Sequence, residues 1–368
     1  MKRSIVIFVV LMFAVASKPV NAQAAHSDSE ELWLQVDAST FFRDAEFFMP
    51  FAKGYSAAGF WFTPTLCYSV YDYAQVRAGV RMVGVAGTEG LYQVQPVFGI
   101  DFYLNHWLTL TLGTIDATKG HNVGDPIYDR ERWYYHDQED GMQIKTNTEH
   151  WTSDTWLDWE HFLEPWTADQ ERFTAGTRQL FTLRPDESLF NVSLPLAFSG
   201  SHRGGQISTL DTCIETLFNE SVGLVFSYDN HADKKVSLSL PAYFFQNNSP
   251  TVHTKYEQGW GFYPQLSFEK QFVRKDNTLE VNVGYWYGYQ YLSARGGALF
   301  HCYSPFDASY VDPYRNMVTM GVSLRHSVPC FDLTLDAEGY YDMLLSEFDF
   351  VIGLNLRFSN AWLLWSGR

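Results

Sequence analysis

Residues 350–358 read Phe-Val-Ile-Gly-Leu-Asn-Leu-Arg-Phe, and from Ile352 to Phe358 every second side chain of this stretch is apolar. Successive side chains of a β-strand point to opposite faces of the sheet, so this run predicts a strand with one apolar and one polar face. Residues 236–240 (Val-Ser-Leu-Ser-Leu) and 333–338 (Leu-Thr-Leu-Asp-Ala-Glu) repeat the pattern. Because the alternation recurs along most of the chain after residue 31, we predict an all-β protein.

The length of the alternating runs separates a membrane barrel from a soluble sandwich, whose strands also alternate. Several runs are long enough to cross a bilayer at a tilt, which takes roughly 9 to 11 residues, whereas strands of soluble proteins usually have about 5 or 6. We therefore predict a transmembrane up-and-down antiparallel β-barrel of about 16 strands. The predicted strands are 32–42, 56–70, 72–84, 91–103, 107–115, 140–148, 153–162, 172–184, 188–199, 216–229, 234–246, 258–273, 277–293, 315–327, 331–343 and 346–358.

The connections between the predicted strands are mostly short and long in turn. Short ones include 105–106 and 328–330, and long ones include 116–139 and 294–314. Short turns on one side and long loops on the other are typical of outer-membrane barrels, whose short turns face the periplasm. An even strand count also brings both termini to that side. The sequence thus predicts a protein of the outer membrane of a Gram-negative bacterium, surrounded by lipid.

The N-terminus has the features of an export signal. Lys2 and Arg3 precede an apolar run at 5–16, and the Val-Asn-Ala sequence at 20–22 fits a cleavage site. We predict no transmembrane helix, because no later run of 18 apolar residues occurs. The predicted organisation is a signal peptide at 1–22, a short N-terminal segment at 23–30, the barrel at 31–358 and a periplasmic C-terminal tail at 359–368.

The charge balance limits the partners that the protein can bind. The chain has 26 Lys and Arg residues against 42 Asp and Glu residues, which gives a formal net charge of −16. Nucleic acid is an unsuitable partner, because an acidic protein does not neutralise phosphates. The acidic excess predicts solvated loops, and inside a pore it would favour cations.

The four cysteines predict no metal centre, because the spacing of Cys67, Cys213, Cys302 and Cys330 fits no zinc pattern. Export permits disulfides, and Cys213 and Cys302 fall in long loops on one side, where they could pair. The carboxylate-rich loop around His121 could hold calcium, yet it lacks a spaced acidic motif, so a solvated loop is favoured. We expect no metal and no cofactor.

A search for catalytic residues gives no candidate. The chain has no G-x-S-x-G motif. An esterase in the membrane needs a serine and a histidine on neighbouring strands of one face. His161, His202 and His326 are available, but no serine stands out beside them. We therefore expect a protein that is not an enzyme.

The barrel interior remains as the candidate functional region. A charged side chain that faces lipid at mid-depth costs about 2 to 4 kcal/mol, so charged residues of the strands should face inward. Both signs of charge permit two interpretations, a channel with a transverse field or an ion-pair network in a plugged or narrow barrel. The predicted lumen-lining residues are Arg77, Arg81, Asp158, Glu160, Arg172, Arg178, Glu280, Arg325, Asp336, Glu338 and Arg357.

Three stretches also carry a family resemblance. Residues 156–160 (Trp-Leu-Asp-Trp-Glu), residues 170–173 (Gln-Glu-Arg-Phe) and the run 41–47 (Phe-Phe-Arg-Asp-Ala-Glu-Phe) resemble uncharacterised, porin-like outer-membrane β-barrels of Bacteroidota. The resemblance extends over the chain after the signal peptide. It implies location and fold, and it assigns no functional residue.

These observations leave three functional hypotheses. The first is a porin-like channel for small polar solutes. The second is a non-conducting structural or accessory barrel in a multi-protein outer-membrane complex, with other outer-membrane proteins or surface lipoproteins as partners. The third is a soluble extracytoplasmic β-protein, which would stay folded without detergent.

Overall fold

The alternating segments form β-strands in the structure, a computed structural model of the chain. It describes residues 29–135, 138–183, 188–205, 208, 214–248, 256–272, 276–307 and 310–367. The strands within these residues are β1 Glu31–Glu46, β2 Tyr55–Val70, β3 Ala74–Val85, β4 Gln93–Asn105, β5 Leu108–Asp116, β6 Gln138–Asn147, β7 Trp151–His161, β8 Glu171–Thr182, β9 Phe190–Gly204, β10 Glu215–Asp229, β11 Lys234–Asn247, β12 Gln258–Phe262, β13 Gln265–Phe272, β14 Asn277–Tyr289, β15 Tyr314–Val328, β16 Phe331–Asp342 and β17 Glu347–Ser366.

The strands form one closed antiparallel barrel. Consecutive strands pair with each other, and β1 pairs with β17 from Glu31–Ser366 to Glu46–Phe350, which closes the ring. β12 and β13 share one position, because both pair with β11 and with β14. The break between them contains Pro264, which has no backbone N–H to donate. The described strands thus occupy sixteen positions, and the predicted fold class is confirmed.

Short helices occur only in the connections of the described chain. Two 3₁₀ helices span Thr118–Asn122 and Ala298–Phe300, and one α-helix spans Arg132–Tyr135. None of the helices in the described ranges is long and apolar enough to cross a membrane.

The last strand is longer than the sequence analysis predicted. Instead of ending at Phe358, β17 continues to Ser366, and its residues 361–366 pair with residues 31–35 of β1. Because β1 already begins at Glu31, its first backbone groups need hydrogen-bond partners, and β17 supplies them. The predicted tail at 359–368 is therefore corrected to a continuation of the barrel wall as far as Ser366. Its periplasmic location stays a prediction.

The two faces of the wall differ in polarity. Along β17 the side chains of Ile352, Leu354 and Leu356 are exposed on the outer face, whereas Val351 and Asn355 are buried inside. An outward apolar surface is what a bilayer requires of a barrel. The alternation in the sequence therefore reports which half of each strand faces lipid.

Two long loops fill part of the interior, and we call their residues 117–135 and 290–307 the plug. The two halves meet at a β-bridge between Tyr128 and Arg295, and the Tyr291 hydroxyl donates to the Pro126 carbonyl at 3.0 Å. The largest apolar cluster joins plug to wall, with Ile127, Leu292, Leu299 and Phe300 of the plug against Trp156, Phe245 and Trp286 of the strands. The core of this protein therefore lies inside the barrel.

Candidate active site

Arg295 holds the plug to the wall through three carboxylates. Its guanidinium lies 2.7 Å from Glu139 and 2.6 Å from Glu160, and it also bonds to Asp158. The Arg295 side chain is only 4% exposed. The predicted inward residues Asp158 and Glu160 are thus brought together by a loop arginine that the sequence analysis did not single out. A loop has no periodicity from which such a contact could be predicted.

A second ionic network surrounds Arg43 of β1. Arg43 pairs with Glu131 of the plug and with Asp336 and Glu338 of β16. Arg130 of the plug reaches the same Glu338 at 3.1 Å. Glu338, a predicted lumen residue of β16, therefore binds the plug directly, and Asp336 is linked to the plug through Arg43.

Other predicted lumen residues line an open part of the interior. A cavity of about 640 Å³ lies between the plug and the wall. Glu280, Arg325 and Arg357 line it together with Asp336 and Glu338. The structure thus contains both a plugged region and a water-accessible region with charges of both signs.

Arg77 and Arg81 lie on the inner face of β3. Arg77 pairs with Asp101 at 2.7 Å, and the Arg81 guanidinium lies 4.9 Å from the centre of the Trp61 ring. Trp61 belongs to a buried cluster with Tyr134 of the plug, which identifies this face as the inner one.

Arg172 and Arg178 lie on the inner face of β8. Arg178 is the cross-strand partner of Asp154, whose carboxylate contacts His121 of the plug. Arg172 stands two residues before Thr174, whose hydroxyl donates to Glu160 at 2.8 Å. Residues two apart in a strand share a face, so both arginines face the lumen.

His121 anchors the first half of the plug. One ring nitrogen lies 2.9 Å from Asp154 and the other 3.1 Å from Glu139, and the ring stacks on Trp156 with centroids 3.7 Å apart. Burial alone would lower the pKa of His121, but the hydrogen bonds with Asp154 and Glu139 outweigh it and raise the pKa above 6.5. An imidazolium between two carboxylates therefore ties the loop to the wall.

We expect the plug to loosen as the pH rises. Because the folded-state pKa of His121 is raised, its stabilisation is complete below the unfolded value of about 6.5 and is lost as the pH passes the folded-state value. The free energy of unfolding in detergent, measured between pH 6 and pH 9, should fall, and His121→Gln should remove that part of the fall. An equal pH dependence in both proteins would contradict this role.

Two expectations on cysteines and metals remain to be placed. Cys213 lies outside the described residues, so its pairing with Cys302, which is buried in the plug, stays a prediction. Within the described ranges, no three His, Cys, Asp or Glu side chains are grouped so that they could hold a metal ion.

A different cluster lies on the outer face, at the long-loop end of β8, β9 and β10. Thr216 of β10 and His202 of β9 are direct cross-strand partners. Phe198, four residues before His202 on the same face of β9, is exposed and therefore marks the lipid-facing side of this strand. Cross-strand partners share a face, so His202 and Thr216 both point out of the barrel. Glu171 begins the adjacent strand β8.

The geometry of this cluster is that of a hydroxyl, an imidazole and a carboxylate in sequence. His202 Nδ1 lies 2.9 Å from Thr216 Oγ1, and His202 Nε2 lies 4.0 Å from Glu171 Oε1. The Phe173 ring supports the imidazole at 5.1 Å. Such a series can deprotonate the hydroxyl, with the carboxylate stabilising the imidazolium that forms. The longer His–Glu distance is compatible with a site that tightens when substrate binds.

His202 is a candidate in the sequence, but its hydroxyl partner is not. The nucleophile expected beside a histidine was a serine, whereas the hydroxyl beside His202 belongs to Thr216. Fourteen positions separate the two residues along the chain, and only the register between β9 and β10 brings them together. His326, another candidate, instead contacts Asn277 at the opposite end of the barrel.

Comparisons with known proteins give a family and a fold. The model of a family described as lipid A 3′-O-deacylase-type matches residues 24–367. No curated protein matches the chain by sequence. The match overturns the prediction that the protein is not an enzyme, because the family is described by an enzymatic activity.

Solved structures of outer-membrane proteins share the fold at low sequence identity. A loop-deletion mutant of OmpT of Vibrio cholerae has a TM-score of 0.56 at 8% identity and covers 91% of this chain and 100% of its own. An anion-selective porin of Comamonas acidovorans has a TM-score of 0.52 at 10% identity and covers 90% of this chain and 99% of its own. OprD of Pseudomonas aeruginosa has a TM-score of 0.51 at 9% identity and covers 95% of this chain and 98% of its own. These structures share the fold, and together with the family match they confirm the predicted outer-membrane β-barrel of a Gram-negative bacterium.

Proposed function

The chain belongs to the lipid A 3′-O-deacylase-type family, and from this premise we propose that it hydrolyses an ester-linked acyl chain of lipid A. The reaction would take place on the outer face of the barrel at Thr216, His202 and Glu171. Water is the co-reactant, and the products are a free fatty acid and a sugar hydroxyl.

One observation carries the proposal: the 2.9 Å contact between the Thr216 hydroxyl and the His202 imidazole lies on the lipid-facing side. A substrate embedded in the outer leaflet can reach this site by lateral diffusion in the membrane, without entering the lumen. The aromatic rings of Trp159 and Phe173, 5.4 Å apart, flank the site on the same face. Aromatic side chains favour the boundary between headgroups and acyl chains, where an ester bond of a lipid lies.

The chemistry divides into two steps. In the first, His202 Nδ1 accepts the hydroxyl proton while Thr216 Oγ1 attacks the ester carbonyl carbon. The bond between that carbon and the sugar oxygen breaks, and the sugar oxygen takes the proton from the imidazolium. In the second step, His202 activates a water that releases the acyl group and restores the Thr216 hydroxyl. Glu171 stabilises the imidazolium in both steps.

The test is an assay of the purified protein with lipid A in mixed micelles. We expect release of one fatty acid and a product lighter by that acyl group, both measured by mass spectrometry. Lipid A that keeps its mass after prolonged incubation with folded protein would contradict the proposal.

A channel is the second candidate function. It is favoured by the cavity of about 640 Å³ with its arginine and carboxylate lining, and opposed by the plug that Arg295 and Arg43 tie to the wall. Planar-bilayer recordings separate the alternatives, because a porin conducts steadily, whereas a plugged enzyme or an accessory barrel conducts little. Co-purification of stoichiometric outer-membrane partners would favour the accessory barrel.

A further inference from the structure

A pair of lysines, Lys234 of β11 and Lys270 of β13, lies on the outer face of the barrel. The two residues are direct cross-strand partners. Leu238, four residues after Lys234, and Phe272, two residues after Lys270, are both exposed. Residues an even number of positions apart in a strand share a face, so both lysines point out of the barrel.

These two lysines are the only Lys or Arg residues that face outward from the described strands. The other basic residues of the strands are out of phase with the exposed apolar side chains around them, and they face the lumen. They are Arg43, Arg77, Arg81, Lys145, Arg172, Arg178, Arg203, Lys235, Arg315, Arg325 and Arg357. In a chain with a formal net charge of −16, the outward-facing cations of the described wall are therefore gathered at one point.

The lysine pair has no counter-charge within the described part of the chain. Like charges directly opposite each other in a sheet are destabilising, and neither ammonium group forms an ion pair with a described residue. The acidic neighbours in the chain are engaged elsewhere. Asp233 accepts from the Asn230 amide at 3.0 Å, and Glu269 is the cross-strand partner of Glu280, which lines the inner cavity.

The pair lies at the level of lipid headgroups, at the short-turn end of the barrel. Lys234 is the first residue of β11, and Lys270 is two residues before the end of β13. At the same end of β9 and β10, the ring centres of Phe190 and Tyr228 are 5.0 Å apart. Lys270 Nζ lies 5.1 Å from the centre of the Phe272 ring. Aromatic rings and lysines at strand ends are typical of the boundary between hydrocarbon and headgroups.

We infer that Lys234 and Lys270 bind the phosphate of an anionic phospholipid in the leaflet at the short-turn end, which is the periplasmic one. Cross-strand partners have Cβ atoms about 4.5 to 5.5 Å apart, so two ammonium groups can hold one phosphate between them. The acyl chains of that lipid lie against the apolar wall, where Leu238 and Leu266 are exposed cross-strand partners. A lipid is the occupant that fits both features, because a free phosphate ion makes no contact with the apolar wall.

This lipid site is separate from the proposed deacylase site. Lys234 follows the short turn between β10 and β11, whereas Thr216 lies at the long-loop end of β10. The two sites are therefore at opposite ends of the barrel and face different leaflets. Failure of the deacylase proposal would leave this inference unchanged.

Lipid binding to the full-length protein in detergent, measured by native mass spectrometry, tests the inference. The protein is titrated with phosphatidylglycerol, which is anionic, and with phosphatidylethanolamine, which is zwitterionic. We expect tighter binding of phosphatidylglycerol by the wild type. The double variant Lys234→Gln, Lys270→Gln should bind it about 25-fold more weakly, or about 5-fold for each lysine. Equal affinity of the wild type for both lipids, or unchanged affinity of the folded double variant, would overturn the proposal.

Lys235→Gln is the matched control. It makes the same change of charge at the adjacent position of β11, where the side chain faces the lumen opposite Glu269, so its affinity for phosphatidylglycerol should equal that of the wild type. The variant Lys234→Arg, Lys270→Arg keeps both charges and should retain binding. An equal loss in Lys235→Gln would show that net charge, and not this pair, sets the affinity.

A competition experiment distinguishes a lipid from a free anion. Inorganic phosphate, added at the concentration of phosphatidylglycerol, should leave the bound lipid in place, because it lacks the contacts of the acyl chains with the wall. Displacement of the lipid by equimolar phosphate would mean that the lysines hold a free anion, and the lipid site would be wrong.

Discussion

Replacing His202 with alanine should lower the rate of lipid A deacylation by about 10²- to 10⁴-fold, the usual contribution of a general base. The variant keeps the Thr216 hydroxyl but removes the group 2.9 Å away that accepts its proton. Because His202 is at the rim and only half-buried, the barrel should still fold. The measurement is kcat/KM on lipid A micelles, together with heat-modifiable migration on a detergent gel as the check for folding.

Threonine variants and a distant histidine complete this test. Thr216→Ala should lose activity to a similar extent, because residues that act as a unit do not contribute additively. Thr216→Ser keeps the hydroxyl and should retain measurable activity. His326→Ala should behave as wild type, because that ring contacts Asn277 at the other end of the barrel. Full activity of folded His202→Ala would remove this site from the reaction.

The strand pattern was predictable because it is local. The immediate neighbours of a residue such as Leu354 or Asn355 predict whether it faces lipid or the lumen, because a polar or charged side chain that faces lipid is energetically costly. Asp336 and Glu338 were predictable as inward residues for the same reason, because their neighbours in the strand are apolar. Closure into sixteen positions followed from strand lengths and from the alternation of short and long connections.

Contacts between distant segments were not predictable in this way. Thr216 and His202 meet only through the register of β9 and β10, and a single-residue shift would separate them. Arg295 lies in a loop, where no periodicity states what it faces. The continuation of β17 to Ser366 depends on where β1 begins, which is a pairing across the whole chain. Local sequence patterns thus predict the strands of the barrel wall. The contacts of the plug and the site at His202 and Thr216 depend on pairing between distant segments.

Removal of the Arg295 side chain should destabilise the barrel by about 3 to 5 kcal/mol, the usual effect of breaking a buried ion pair from one side. Arg295→Ala would leave Glu139, Asp158 and Glu160 close together inside the barrel without the cation that holds them. The bridge between Tyr128 and Arg295 would lose its side-chain anchor at the same time. Urea unfolding in detergent micelles, followed by tryptophan fluorescence, measures the change in the free energy of unfolding.

The same variant tests whether the plug closes the lumen. Release of the plug from β6 and β7 should open a water-filled path past the existing cavity, so Arg295→Ala should conduct in planar bilayers more than wild type. Arg325→Ala is the matched control, because Arg325 lines that cavity from the wall and forms no ion pair within 4 Å among the described residues. If Arg295→Ala were as stable and as poorly conducting as Arg325→Ala, the carboxylates would not depend on Arg295, and the plug would have to be held by its apolar contacts with Trp156 and Trp286 alone.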